Sequence, residues 1–427
     1  MQAKLFRKGF LIDGTGRDPQ ELVDVLVEGN KITAIGQNLE IPEQYQPGSI
    51  DIIELRGKTI MPGLTEAHTH LTWQDALYIQ DIDFKPIEET MVAAILNAKT
   101  MIKCGYTSCV SAAARGRVDI AIRDAINRGQ IVGPRMLANG AEVTATGSFT
   151  DLHPNHVQVN GLSIFADGED AVRRTVRSLF KEGADLVKLN VSGESLTAHA
   201  RNEMTLYTYK EVRAAVEEAH ARGKRVYTHA RSSDSVKICV EAGVDIISHA
   251  DFINDEVFEM VVENKDKHFI VPGLNWLVST LEHGAEYFGQ EAIDATGYKE
   301  GLEYALFNMN RLYKAGVRVL PGGDYGFKWC PHGQYARDLE HFVKLVGMTP
   351  MDAIVSATKY GGQIMEMEDK IGTIEVGKLA DILVVDGNPL ENICVFQDQS
   401  KLKVILKDGQ YITNDLEVTY AIENSVA

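Results

Sequence analysis

The sequence predicts an α/β protein, a (β/α)8 barrel in the middle of the chain with β-rich ends. Three observations carry this. Strand-like and helical patterns alternate from about residue 58 to residue 370, eight strand candidates fall in that stretch, and both ends read as short strands joined by tight turns. Eight strand–helix units over roughly 300 residues fit a closed barrel better than an open sheet. An open doubly wound sheet is the runner-up, but no G-x-G-x-x-G follows the first strand to support it.

Residues 3–56 show no long helical pattern. Residues 23–35 alternate about a turn at Glu28-Gly29-Asn30, as a hairpin does, and 51–55 form another apolar run. The eight strand candidates are 63–68, 107–110, 135–141, 186–191, 225–229, 246–249, 269–272 and 317–320. Helical patterns lie between them at 88–103, 170–182, 209–221 and 234–242, and the last two stop at Gly223 and Gly243. Towards the C-terminus, 380–385 and 402–406 are again β-rich, and Asp408-Gly409 is a strong hairpin turn. The two β-rich ends suggest one small sheet domain, 1–57 with 371–427, around a catalytic 58–370. Two independent β caps are the alternative.

The chain has 427 residues, of which 44% are hydrophobic and 24% charged, ample for a buried core. Its formal net charge of −17 repels phosphate and anionic lipid, and no Lys/Arg run offsets it. The expected partner is a small-molecule substrate, with no nucleic acid and no membrane; assembly into a homo-oligomer stays open. The first residues carry Lys4, Arg7 and Lys8 without the apolar run of a signal peptide. No stretch approaches the roughly 20 apolar residues that span a bilayer. Cys104, Cys109, Cys239, Cys330 and Cys394 are scattered with no C-x-x-C, which reads as reduced thiols in a cytoplasmic protein.

The chemistry-bearing residues fall at strand ends. His68 and His70 close the first strand as H-x-H, Lys188 sits in the fourth, His229 and His249 close the fifth and sixth, and Asp324 follows the eighth. In a barrel these ends converge on one mouth. Alternation puts His68 and His70 on the same face. Imidazoles with a carboxylate suit zinc or another divalent transition ion. A lone strand histidine is more often a satisfied core residue, but four at strand ends with one aspartate form a set. Lys188 has two readings. It is an inward ammonium paired with Asp324 or a substrate anion, or it is a carbamate formed with CO2, whose two oxygens could bridge two ions roughly 3.5–4 Å apart. The pattern alone leaves both open.

The run Gly57-Lys58-Thr59-Ile60-Met61-Pro62-Gly63-Leu64, followed by Ala67-His68-Thr69-His70, closely resembles the amidohydrolase superfamily, as does the tail 371–385, IGTIEVGKLADILVV. The chain is most similar to the subgroup of imidazolonepropionase-like enzymes and metal-dependent Xaa-Pro and Xaa-Arg dipeptidases. The resemblance implies a TIM-like barrel with a small β-sandwich built from both termini. It implies two divalent metal ions, zinc foremost, with His68 and His70 on the more buried ion and His229 and His249 on the other. Lys188 would be the bridging carbamate. Asp324 would be both a ligand and the general base and acid that cleaves a C–N bond of amide, urea or carbamate type by metal-activated hydroxide.

The substrate side departs from the family pattern. The usual T-G-G-H becomes Thr146-Gly147-Ser148-Phe149, with His153 four residues on as a substitute. The usual H-A-Y becomes His229-Ala230-Arg231, and Arg231 is either a bidentate carboxylate donor or a surface residue. The usual S-G-G becomes Ser192-Gly193-Glu194, whose carboxylate would disfavour anionic substrates. The eighth loop, with Tyr325, Phe327, Trp329 and His332, is similar to that of phenylurea and molinate hydrolases; with Trp73 and Trp276 it could build an apolar pocket or simply pack loops. The leading reading is an amidohydrolase acting on a substrate with an apolar substituent. The alternatives are a prolidase-like dipeptidase or N-acyl-amino-acid hydrolase with Arg231 on the carboxylate, and a non-catalytic scaffold of the same fold.

Overall fold

The computed structural model describes residues 3–420 apart from 42–44, 46–48, 158, 160 and 196. The chain divides into two compact units, Met1–Thr65 with Met101–Ser108 and Thr349–Ala427, and Glu66–Thr100 with Cys109–Met348.

The first unit is built on a nine-stranded sheet drawn from both ends of the chain. Thr59–Pro62 pairs antiparallel with Ile382–Val385 and parallel with Ala3–Leu11, so strands from the two ends lie side by side. Phe6, Val25, Ile60, Ile382 and Val404 bury their side chains in one cluster, and Ala3, Leu5, Leu26 and Ile50 in another. Hairpins join Gln20–Glu28 to Lys31–Gly36 and Leu402–Lys407 to Gln410–Asn414. Asp408 and Gly409 both take positive φ, 49° and 72°, as a two-residue hairpin turn of matching twist requires. A Cβ on Gly409 would lie 2.1 Å from the Gly29 carbonyl oxygen, so one hairpin turn packs against the other.

In the second unit parallel strands follow one another in chain order. Leu186–Asn190, Arg225–Ser232, Ile246–Phe252 and Phe269–Val271 pair in succession, and Glu142–Thr144 joins Leu186–Asn190 through Val143 and Leu189. Capped helices separate them. Tyr209–His220 starts with a Thr208/Glu211 capping box, and Ser233–Ala242 runs from a Ser232 cap to a left-handed Gly243.

Two strand expectations need correction. The third candidate, 135–141, is a short strand, Arg135–Leu137, followed by a break and a second strand, Glu142–Thr144. The break has a cause: the Asn139 and Gly140 amides turn to donate to the buried Asp119 carboxylate, and Gly140 takes φ 73°. The eighth candidate, 317–320, is not a regular strand. It is held by one parallel bridge, Ile270 to Val319, and by the Ala67 amide donating to the Pro321 carbonyl at 3.0 Å. Pro321 has no N–H with which to extend a ladder.

Candidate metal centre

His68 and His70 share one face of the end of the Leu64–Thr69 strand, as alternation requires, and their Nε2 atoms are 3.2 Å apart. An Asp324 oxygen lies 2.9 Å from His70 Nε2 and 3.6 Å from His68 Nε2. His249 joins from the Ile246–Phe252 strand, and one ligand atom from each of His68, His249 and Asp324 falls within 4.8 Å of the others. The His249 and His229 rings are 4.5 Å apart. Lys188 and His229 line the same small cavity, about 40 Å³. All six residues expected from the sequence therefore meet in one place. His249, Ala250 and Asp324 hold φ of 73°, 56° and 62°. That left-handed backbone costs roughly 1–3 kcal/mol at non-glycine residues and gathers where side chains must be aimed.

Donor accounting shows what the cluster lacks. Tyr227 donates its hydroxyl to the Ala67 carbonyl at 3.0 Å, so the 2.9 Å contact with His68 Nδ1 requires the imidazole to donate. His70 Nδ1 donates to the Ala113 carbonyl at 3.1 Å. In a neutral imidazole with Nδ1–H, Nε2 carries only a lone pair. Two lone pairs thus face each other at 3.2 Å beside a carboxylate oxygen. His249 is fully buried with neither ring nitrogen hydrogen-bonded. One of the two carries a hydrogen, and the other is costly to bury unless a cation accepts its lone pair. His229 Nε2 donates to the Gly193 carbonyl at 3.0 Å, which leaves Nδ1 as its free lone pair. Ligating histidines commonly have one nitrogen fixed in this way and the other bare. The donor set fits divalent transition ions.

The electrostatics agree. Burial, with nearby charges, holds His68, His229 and His249 well below the usual histidine range, and the neutral imidazole is the ligating form. Burial would raise the Asp324 carboxyl, but its neighbours, the Lys188 ammonium among them, outweigh burial and hold it below the usual carboxylate range. Burial lowers the Lys188 ammonium to about 8, against the pull of Glu142 and Asp324. A buried lysine near that value is partly a free amine, the form that reacts with CO2. Glu142 lines the cavity and is itself raised by burial. Sequence reasoning did not single it out. Its signal is a charged residue opening the short buried strand that Leu186–Asn190 pairs with.

The residues expected on the substrate side divide. Phe149 lines the cavity, its ring 4.8 Å from that of His229. Trp329 lines an adjoining pocket, and its indole N–H donates to Thr280 at 2.9 Å. Arg231 is fully buried. Its Nε donates to Glu194 at 2.8 Å and its Nη1 to Asp251, so the charge of Glu194 is also engaged. His153 pairs with Asp83 at 3.1 Å. Tyr325 donates to Asp338 at 2.9 Å. His332 lies 2.8 Å from the Tyr335 hydroxyl and donates to the Trp73 carbonyl at 3.0 Å. The Trp73 ring stacks flat on His70 at 3.6 Å, so His332 positions the wall of the cavity without lining it.

The profile of the Amidohydrolase family matches residues 59–412. The chain is 26% identical over 426 residues to the ochratoxinase of Aspergillus niger, covering 94% of this chain and 85% of that protein. Its fold superposes on a Xaa-Pro dipeptidase with bound methionine in the active site at TM-score 0.85 and 29% identity, over 97% of this chain and all of the other. It also superposes on molinate hydrolase at TM-score 0.74 and 20% identity, over 96% and 94% of the two chains, a likeness of fold.

Proposed function

Because the chain belongs to the amidohydrolase family, we propose that it hydrolyses a C–N bond of amide, urea or carbamate type in a small molecule at a binuclear centre. The observation that carries this is His249, buried with neither ring nitrogen hydrogen-bonded, beside the facing His68 and His70 Nε2 atoms and the Asp324 carboxylate. His68 and His70 would hold the more buried ion, His229 and His249 the other, and Asp324 a ligand position. Zinc is the ion we favour. The Lys188 amine, favoured by burial, would add to CO2 with release of a proton and offer the carbamate as a further ligand. Divalent ions there supply Lewis acidity toward a water and the scissile carbonyl. Asp324 accepts the water's proton and returns it to the leaving nitrogen. Tyr227 and the Ala113 carbonyl keep the rings aimed, while Phe149 and Trp73 shield the site from solvent. The prolidase-like reading cannot rest on Arg231, whose guanidinium already serves Glu194 and Asp251.

We read the parallel strands as a (β/α)8 barrel over 58–370. The Ile270–Val319 bridge and the Ala67–Pro321 hydrogen bond support closure of the ring. The small domain, 1–57 with 371–427, is read as a β-sandwich on its two apolar clusters. No helix among the described residues is long and apolar enough to cross a membrane. We place the protein in the cytoplasm on its scattered cysteines, none of them in a disulfide among the described residues. The test is metal removal and return. Chelation should abolish hydrolysis of a panel of amides, ureas, carbamates and dipeptides, and zinc or manganese with bicarbonate should restore it. Metal analysis should find two ions per chain, and labelled bicarbonate should give a carbamate resonance that Lys188→Ala loses. Full activity in metal-free protein would overturn the proposal.

A further inference from the structure

Helix Ile87–Lys103 shows Val92, Leu96 and Lys99 to solvent and buries Ala93, Ala94, Ala98 and Met101. Small alanines let its inner face come close to the chain beneath it. Among its buried residues, Thr90 and Asn97 are polar. Thr90 donates its hydroxyl back to the Pro86 carbonyl at 3.1 Å, at the start of the same helix. Asn97 makes no such local bond, and a carboxamide buried without partners would be costly. It reaches out of the helix instead. Its Nδ2 donates to the Leu71 carbonyl at 2.9 Å and to the Trp73 carbonyl at 3.1 Å, so both amide hydrogens are used.

Both carbonyls belong to one tight turn that leaves the first metal motif. The Trp73 amide donates to the His70 carbonyl at 2.8 Å and folds the chain back. The Trp73 indole then lies on the His70 ring, with centroids 3.6 Å apart and planes 3° from parallel. His332 gives the Trp73 carbonyl its second hydrogen bond at 3.0 Å, and the Thr72 hydroxyl accepts the Arg115 amide at 3.3 Å. The stack has a mechanical consequence. His70 can leave its pose by rotating about its Cβ–Cγ bond, which breaks the bond from Nδ1 to the Ala113 carbonyl and swings a ring edge out of plane. An indole lying parallel 3.6 Å away fills the space that this edge would sweep. His70 Nε2 is thereby kept facing Asp324 at 2.9 Å. Groups that orient a ligating histidine in this way commonly change metal affinity 10–100-fold, roughly, when they are removed.

Resting on the metal-centre reading above, we infer that Asn97 is a positioning residue: by clamping the Leu71 and Trp73 carbonyls it locks the Trp73 indole onto His70 and so fixes His70 for its ion. Asn97 acts through Trp73, which lines the cavity. Zinc affinity is read by competition with a chromogenic chelator. The stack is read in the metal-free protein by near-ultraviolet circular dichroism; the chain has three tryptophans, and the difference from Trp73→Leu isolates the band of this one. Asn97→Leu, which fills the space without a donor, should weaken zinc roughly tenfold and shrink that band. Wild-type affinity and an intact band in this variant would show that packing suffices and overturn the inference. In a Trp73→Leu background the same substitution should change zinc affinity less than about twofold, because its route is already gone. The full tenfold loss there would mean that Asn97 acts by another path, and would also overturn it. Should the Asn97 variant not fold, Trp73→Leu alone decides: unchanged zinc affinity would sever the stack from the ion. A wild-type protein that binds no zinc, yet loses the band on Asn97→Leu, would sink the metal reading and leave the lock standing. Zinc bound equally by every variant would do the opposite.

Discussion

Two charged clusters stand at strand ends in the second unit, and they differ in what they lack. Around Arg231, Nε and Nη1 donate to Glu194 and Asp251, and the Tyr298 hydroxyl donates to Glu194 at 2.8 Å. Around His68, ring nitrogens face one another and a carboxylate, and both nitrogens of His249 have no hydrogen-bond partner. Burial and position are alike, so neither identifies a working site. The first cluster sets its cation between two carboxylates and leaves only Arg231 Nη2 and one Asp251 oxygen without a hydrogen-bond partner. The second has lone pairs in excess, which only a ligand can satisfy.

The sharpest way to break this comparison is Asp324→Asn. Loss of a positioned general base and acid should cost roughly 10²–10⁴ in kcat. Bound metal and melting temperature should stay near wild type, because the amide oxygen can still ligate. Near-wild-type turnover would remove Asp324 from catalysis. Next in size is Arg231→Met, which leaves Glu194 and Asp251 buried without their cation. Removing one partner of a buried ion pair costs about 3–5 kcal/mol. Urea unfolding measures this, and a stable variant that had lost only activity would move Arg231 from scaffold to substrate binding.

How much of this could be read from the sequence depends on the distance over which each residue's role is decided. His68 and His70 were legible because two-residue alternation is local, and Asp324 because it follows a strand-like run directly. Arg231 was not, since its partners lie 37 and 20 residues away and only the parallel register brings them together. The contact His332 makes was hidden in the same way: it reaches the Trp73 carbonyl, 259 residues away. The hairpins at Gly29 and Asp408-Gly409 declared themselves through turn chemistry, and the helix stops at Gly223 and Gly243 through glycine. The split third strand did not, because its cause is a buried Asp119 on a neighbouring helix.

His332 gives a prediction with a sign in pH. Burial lowers its pKa from 6.5 to about 4, despite the bond to the Trp73 carbonyl. The unfolded chain therefore takes up a proton below about pH 6.5 that the folded chain takes up only near pH 4. Its neutral state adds no pH dependence above 6.5, and stability falls between those values as pH drops. The fall is bounded by about 3 kcal/mol, at 1.36 kcal/mol per unit. His332→Gln, which keeps a donor for the Trp73 carbonyl, should flatten that part of the urea-unfolding profile against pH. An unchanged slope would mean that His332 titrates as it does in the unfolded chain.

The smallest effect is expected at Glu218, an ion cluster of the opposite kind. Hydrogen bonds from Arg177 and Arg222 lower its carboxyl to about 2, but those arginines are 56% and 40% exposed. Solvent screens them, so the pair contributes about 0.5–1 kcal/mol and not the several that the shift alone would suggest. The folded pKa lies below the unfolded 4.5, so this stabilisation is fully present above that value and is lost as pH falls towards about 2. Glu218→Gln should therefore lower unfolding free energy slightly at pH 7 and not at all at the acid end. The measurement is paired with Arg231→Met in the same urea series. If the two variants cost the same, solvent access is not what separates the clusters, and the weight placed on buried, unpartnered nitrogens at the metal centre would have to rest on their strained backbone and strand-end position alone.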